Sequence, residues 1–227
     1  MHVQVRGRGL RAGEVVAPAR LGILGGTFNP PHIGHLVCAQ EAIVQLELDT
    51  VVWIPAGTPP HREIEQDPGA EARYEMVELT VSGDERFSAS RIELDREGPS
   101  FMADTLRELH SRSPDGELVL LLGGDQAATL GSWHEPEEIF TLATVAVAER
   151  TGFKREAIGL KLSKLLRGDR RLRFFDMPRV DVSSSMIRRR ASSGLPIRYL
   201  VTDKVANFIG AQSLYGASVP VPVEAGE

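Results

Sequence analysis

One cysteine, Cys38, occurs in 227 residues, so no internal disulfide framework is available. The composition suits a reducing compartment, and a cytoplasmic location is expected. Cys38 follows an apolar stretch and reads as a packed side chain. No apolar run approaches the roughly 18–20 residues of a membrane span. The first nineteen residues also lack the apolar segment of a secretory signal. Residues 1–19 are read as a flexible N-terminal tail, and 216–227, with Pro220 and Pro222, as a flexible C-terminal one. Positive charge is in deficit: 26 Lys and Arg face 31 Asp and Glu, a net charge of −5. General attraction to nucleic acid or to a membrane surface is therefore not expected. Any anion must be held by a local cluster of donors.

What is present is an apolar core in repeating units. The chain is 42% hydrophobic and 25% charged, enough for a sizeable core. Strands are expected at 21–26, 50–57, 87–94, 118–125, 144–150 and 172–180. Helix-like composition fills 34–47, 70–82, 101–112, 154–167, 184–192 and 196–210. "LVLLLGGD" (118–125) is apolar without alternation, as a strand covered on both faces is. Strand–helix alternation then predicts one α/β domain over 20–215, an open doubly wound parallel sheet. Unusual residues cluster just after the strands: Gly25-Gly26-Thr27, Ala56-Gly57-Thr58, Gly124-Asp125, Arg150 and Ser183-Ser184-Ser185. In such a sheet those ends share one edge, where ligands bind.

The stretch "GILGGTFNPPHIGH" (22–35) holds two histidines three apart, with no nucleophile or acid beside them. Gly25 and Gly26 would let the backbone turn sharply and approach a ligand, and Pro30 and Pro31 would stiffen the loop. A helix starting near Ile33 would set His32 and His35 on one side of its first turn. Its unpaired amides and positive dipole end would favour a phosphate. A zinc pair is disfavoured because no third-ligand motif accompanies the two histidines. In "VDVSSSMIRRR" (180–190), Ser183 is a good N-cap. Arg188 then opposes the helix dipole unless an anion sits beside it, so it is the candidate phosphate ligand. Arg189 and Arg190 point roughly 100° and 200° away on the wheel and read as a solvated face.

These two motifs together resemble the nucleotidyltransferase superfamily, with its [H/T]-x-G-H loop and its serine-rich turn before an arginine. "PAGTPPHR" (55–62), "ARYEMVEL" (72–79), "IELDREGPSFMADTL" (92–106), "LLLGGDQAATLGSWHEPEEI" (120–139) and "IRYLVTDKVANFIGAQSLY" (197–215) narrow the resemblance to the bacterial nicotinate-nucleotide adenylyltransferases. The resemblance implies a Rossmann-like nucleotidyltransferase fold. It also implies adenylyl transfer from ATP to nicotinate mononucleotide, with Mg²⁺ carried mainly by the ATP phosphates. Gly25, Gly26, Thr27, His32, His35, Asp125, Ser184, Ser185 and Arg188 would bind ATP, with His32, His35 and Arg188 serving the chemistry. Arg62, Met102 (main chain), Trp133 and His134 (main chain) would bind the mononucleotide.

Three departures stand out: Asn29 for a frequent aspartate, Ala56 where some members carry asparagine, and "SFMADT" for the commoner "SYT…DT". A same-fold enzyme acting on nicotinamide mononucleotide or phosphopantetheine is the nearest alternative. A class I aminoacyl-tRNA synthetase fragment shares "HIGH", but the chain is short, acidic and without a lysine-rich second signature. A non-catalytic nucleotide sensor is disfavoured by the intact phosphate-binding positions. A homo-oligomer is compatible with the sequence.

Overall fold

The computed structural model describes residues 19–60, 64–149, 155–163, 165 and 171–217. Most of both expected tails, and the positions Arg62 and Arg150, lie outside the described residues. Six strands form one sheet: β1 (Arg20–Gly26), β2 (Thr50–Pro55), β3 (Phe87–Ala89), β4 (Glu117–Gly123), β5 (Ala143–Glu149) and β6 (Leu172–Asp176). Every pairing is parallel, and the order is β3-β2-β1-β4-β5-β6. The strand order therefore reverses between β1 and β4, which makes their C-terminal ends the expected ligand crevice.

The unbroken apolar runs are explained by burial on both faces. Ile23, Val52, Ile54, Leu120, Leu122, Val145 and Val147 face one layer, while Leu24, Val51, Trp53, Val119, Leu121, Ala146 and Phe175 face the other. That is the period of two expected for a strand, with no solvent side. The first layer packs on α3 (Met102–Arg112), α4 (Gly124–Thr129) and α5 (Pro136–Leu142). The second packs on α1 (Ile33–Gln45) and α2 (Ala70–Val81). Each fully buried large apolar side chain contributes roughly 1.5–3 kcal/mol. Beyond the sheet, Met76 of α2 packs with Ile187 and Ala191 of α7 (Ser184–Ser192) and with Val205 and Ile209 of α8 (Asp203–Ala211). α6 (Arg155–Leu162) buries Ile158 and Leu162. No helix among the described residues is long and apolar enough to cross a membrane.

The elements differ most from the expected ones in four places; the sixth strand, for one, ends at Asp176 rather than Val180. The third strand stops at Ala89, because the chain closes a turn in which Leu94 and Asp95 both donate to the Arg91 carbonyl at 2.7 and 2.9 Å. That turn carries Ile92 and Glu93 inward. The fourth strand ends at Gly123, and α4 and α5 follow in a stretch where no helix is expected; at six and seven residues, neither shows a clear apolar period. The last helix begins at Asp203 rather than Pro196. Tyr199 has a left-handed φ of 69°, and the Thr202 side chain caps the helix by accepting from the Val205 amide at 3.3 Å.

Candidate functional site

Two cavities open at the C-terminal ends of β1 and β4. One, of about 440 Å³, includes Ala56, Glu93, Phe101, Met102, Trp133 and His134 in its lining. The other, of about 590 Å³, includes His32, His35, Ser183, Ser184, Ser185 and Arg188. Gly25, Gly26, Thr27, Asp125 and Gln126 line both, so the two form one crevice with a waist. Every expected site residue among the described residues is brought to this crevice.

The larger cavity is built on the start of α1. His32 is the N-cap, and its Nδ1 accepts from the Gly34 amide at 3.2 Å. His35 Nδ1 accepts from the His32 amide at 3.1 Å, closing a reciprocal capping box. The rings stack with centroids 3.8 Å apart. With Nδ1 an acceptor in each, the proton of the neutral ring sits on Nε2, and each histidine is set as an Nε2–H donor. The first-turn amides are not unpaired, contrary to expectation. Ile33 donates to the Leu200 carbonyl at 3.0 Å, and His35 to the His32 carbonyl at 2.9 Å. The histidine side chains, the His32 carbonyl and the crossing loop occupy the amides.

Gly25 and Gly26 also act differently from expectation. They are the last two residues of β1, and neither has a positive φ. Gly25 supplies space, since a Cβ there would stand 2.7 Å from the Met102 methyl. The sharp turn falls on Phe28, with φ 50°, its ring buried against Trp53 and His35. Asn29 is 2% exposed and ties three segments: its Nδ2 donates to the Glu65 carbonyl at 2.8 Å, its Oδ1 accepts from the Tyr215 hydroxyl at 2.7 Å, and its carbonyl accepts from Arg188. Burial raises the Tyr215 phenol above its ordinary range, so it stays a donor.

On the opposite side, Ser183 caps α7 by accepting from the Met186 amide at 3.2 Å, as expected. Ser184 Oγ donates to the Pro30 carbonyl at 2.8 Å, pinning the histidine loop to α7. Arg188 is buried, with Nη1 donating to Asn29 at 3.0 Å and Nη2 to the Glu65 carboxylate at 2.8 Å. Its Nε is buried with no hydrogen-bond partner among the described residues. Arg189 and Arg190 turn outward; Arg190 Nε donates to the Pro196 carbonyl at the surface. The wheel argument thus picked out the inward arginine. Its carboxylate partner Glu65 is largely exposed, a placement no local pattern signals.

The smaller cavity is more apolar. Trp133 is half-buried, and the Phe101 and His134 rings stack at 4.2 Å. Phe101 is the N-cap of α3, so Met102 sits at the first helical position, where an amide has no intrahelical partner. Glu93 was missed as a lining residue, although it lies within the quoted "IELDREGPSFMADTL". It is 4% exposed, and burial holds its carboxyl above the usual range, against the Thr105 and Ser100 hydroxyls that lower it. Thr105 donates to Glu93 at 2.7 Å, and Ser100 Oγ accepts from the Gly57 and Thr58 amides at 3.0 and 3.2 Å. Gly57 must be glycine, because a Cβ would lie 2.4 Å from the Glu93 carbonyl.

Comparison with known proteins places these features in context. Residues 23–190 match the cytidylyltransferase-like family. A protein named "Probable nicotinate-nucleotide adenylyltransferase" from Geobacillus thermodenitrificans is 39% identical over 202 residues, covering 89% of this chain and 88% of the relative. A protein of the same name from Shouchella clausii is 39% identical over 197 residues, covering 87% and 97%. The solved structure of Plasmodium falciparum nicotinic acid mononucleotide adenylyltransferase complexed with NaAD superposes with a TM-score of 0.72 at 17% identity, covering 89% of this chain and 100% of that one. At that identity the structural likeness is one of fold.

Proposed function

Because the chain belongs to the cytidylyltransferase-like family, and within it to the nicotinate-nucleotide adenylyltransferases, we propose that it transfers the adenylyl group of ATP to nicotinate mononucleotide. The products are deamido-NAD and pyrophosphate, and the reaction is a step of NAD biosynthesis. The observation that carries this reading is the divided crevice: a donor-rich cavity and an aromatic one that meet at Gly25, Gly26, Thr27 and Asp125.

The chemistry asks for little more than alignment and charge. A phosphate oxygen of the mononucleotide bonds to the α-phosphorus of ATP. The bond from that phosphorus to the oxygen bridging to the β-phosphate breaks, and pyrophosphate leaves with the electron pair. The attacking oxygen is already ionised, so no general base is required. The barrier is the approach of two polyanions and the charge gathered on the departing group. The Nε2–H groups of His32 and His35 and the guanidinium of Arg188 supply the positive field. One well-placed donor of this kind contributes on the order of 3 kcal/mol to the transition state. Glu65 now holds an anionic oxygen on Arg188 Nη2, and its side chain is 82% exposed. An incoming phosphate therefore replaces it at small cost. Ser184 and Ser185 complete that wall, and Thr27 and Asp125 flank the waist.

Among the described residues no group of three or more His, Cys, Asp or Glu side chains is placed to hold a metal ion. In this reading Mg²⁺ arrives mainly on the ATP phosphates, with Asp125, which lines both cavities, the carboxylate beside it. When bound, the ion draws charge from the triphosphate and eases departure of pyrophosphate.

At the acceptor end, Trp133 stacks on the pyridine ring, and the main-chain amides of Met102 and His134 donate to its carboxylate. Arg62 is assigned to the mononucleotide phosphate from the family pattern. Residues 20–215 form one catalytic unit, and we place the reaction in the cytoplasm. Incubation with ATP, Mg²⁺ and nicotinate mononucleotide should yield deamido-NAD and pyrophosphate in equal amounts. Failure to form either product would refute the reading.

A further inference from the structure

Arg73, in the first turn of α2, is fully buried, at 0% exposure. It lies outside the crevice lining and cannot touch a nucleotide bound there. A guanidinium so placed is costly unless its donors are satisfied. Here Nη1 donates to the Thr27 carbonyl at 3.2 Å and to the Ala56 carbonyl at 2.5 Å, Nη2 donates to the Gly57 carbonyl at 3.2 Å, and Nε donates to Asp67 at 3.0 Å. Asp67 also accepts from the Gly69 amide at 3.0 Å, which fixes the entry to α2.

The carbonyls belong to two different loops. Thr27 follows β1 and lines both cavities; Ala56 and Gly57 follow β2, and Ala56 lines the acceptor cavity. One side chain thus bolts the loop beside the ATP phosphates to the loop beside the acceptor. The planar fork of arginine can do this, since its donors diverge at fixed angles; a lysine ammonium is a point charge that cannot hold three carbonyls in a set geometry. A buried arginine paired with a partly exposed carboxylate is weak grounds for stability, because apolar residues of similar volume often serve as well. Its use here is geometric.

We propose that Arg73 is a positioning residue for the transfer step. It sets the separation of the two substrate loops, and so governs kcat while leaving the affinity for each nucleotide alone largely untouched. This rests on the adenylyl-transfer reading only in requiring two nucleotides to meet across those loops. A misplacement near 1 Å in such a reaction costs about 100-fold in rate.

The test compares wild type, Arg73→Lys and Asp67→Asn by kcat, by equilibrium binding of ATP and of nicotinate mononucleotide separately, and by Tm. Arg73→Lys should lower kcat about 100-fold with each binding constant within about threefold of wild type. Asp67→Asn keeps the guanidinium and its loop bonds but weakens the Nε tie, and should lower kcat about tenfold with binding unchanged. A kcat for Arg73→Lys within about threefold of wild type, or a fall matched by equal loss of affinity, would overturn the proposal. Should Arg73→Lys fail to fold, Asp67→Asn decides, and an unchanged kcat there overturns it. Wild-type inactivity would refute the assigned reaction instead; an active wild type with equally active variants would refute the role of Arg73 alone.

Discussion

At one end of the crevice the lining groups that carry polarity are side chains: imidazoles of His32 and His35, hydroxyls of Ser184 and Ser185, and the guanidinium of Arg188. At the other they are ring faces and main chain: Trp133, the stacked Phe101 and His134 rings, and the first amide of α3. Under the proposed reaction, the contrast follows from what each end must do. A triphosphate is flexible and highly charged, and the charge on it moves during the reaction, so donors of fixed tautomer and permanent cations suit it. A pyridine ring with one carboxylate is flat and changes little, so a stacking surface and a pair of amides suffice to select it. Substitutions at the two ends should therefore fail differently, the first in turnover and the second in acceptor affinity.

The sharpest break should come from Arg188→Ala, which removes a buried cation and unties both Asn29 and Glu65. Loss of such a group typically costs about 2–5 kcal/mol, so kcat/KM for ATP should fall by about 30- to 4,000-fold. Arg190→Ala, at the surface about 200° round the helix, should leave it within about threefold. Equal small effects from both would erase the distinction between the inward and outward arginines. His35→Ala should lower kcat by about 100-fold while the KM for the mononucleotide holds steady. A mononucleotide KM that rises in step with the fall in kcat would mean that the two ends are not separate. Trp133→Ala should act on the other side, raising the mononucleotide KM by about tenfold through lost stacking, with the KM for ATP unchanged. A change confined to ATP would reverse the assignment of the cavities.

That the two motifs meet at one cavity was legible in the sequence because their parts are local. "GGTFNPPHIGH" carries donors, a cap and stiffening prolines, "SSSMIRRR" a cap and donors, each within a short run of chain, and a helical wheel separated Arg188 from its neighbours. The sheet was legible from its apolar runs for the same reason. What escaped depends on contacts across the chain. The Leu200 carbonyl reaches Ile33 from 167 residues away (200 − 33), so first-turn amides expected to be open are occupied. α4 and α5 are too short to show an apolar period, and Tyr199, in left-handed backbone, delays the last helix against the good helix formers around it. Glu93 and Arg73 read as ordinary charged residues until the fold buries them.

Selection of the acceptor tests the account most directly. Nicotinate mononucleotide, nicotinamide mononucleotide and phosphopantetheine are offered side by side at fixed ATP and Mg²⁺, with products identified by mass and kcat/KM taken for each. The amide would set its own NH₂ against a main-chain donor, leaving one buried donor unpaired at roughly 1–3 kcal/mol. The account predicts deamido-NAD as the main product and a preference for the acid over the amide of about tenfold or more. Equal values for acid and amide, or a higher value for phosphopantetheine, would contradict it.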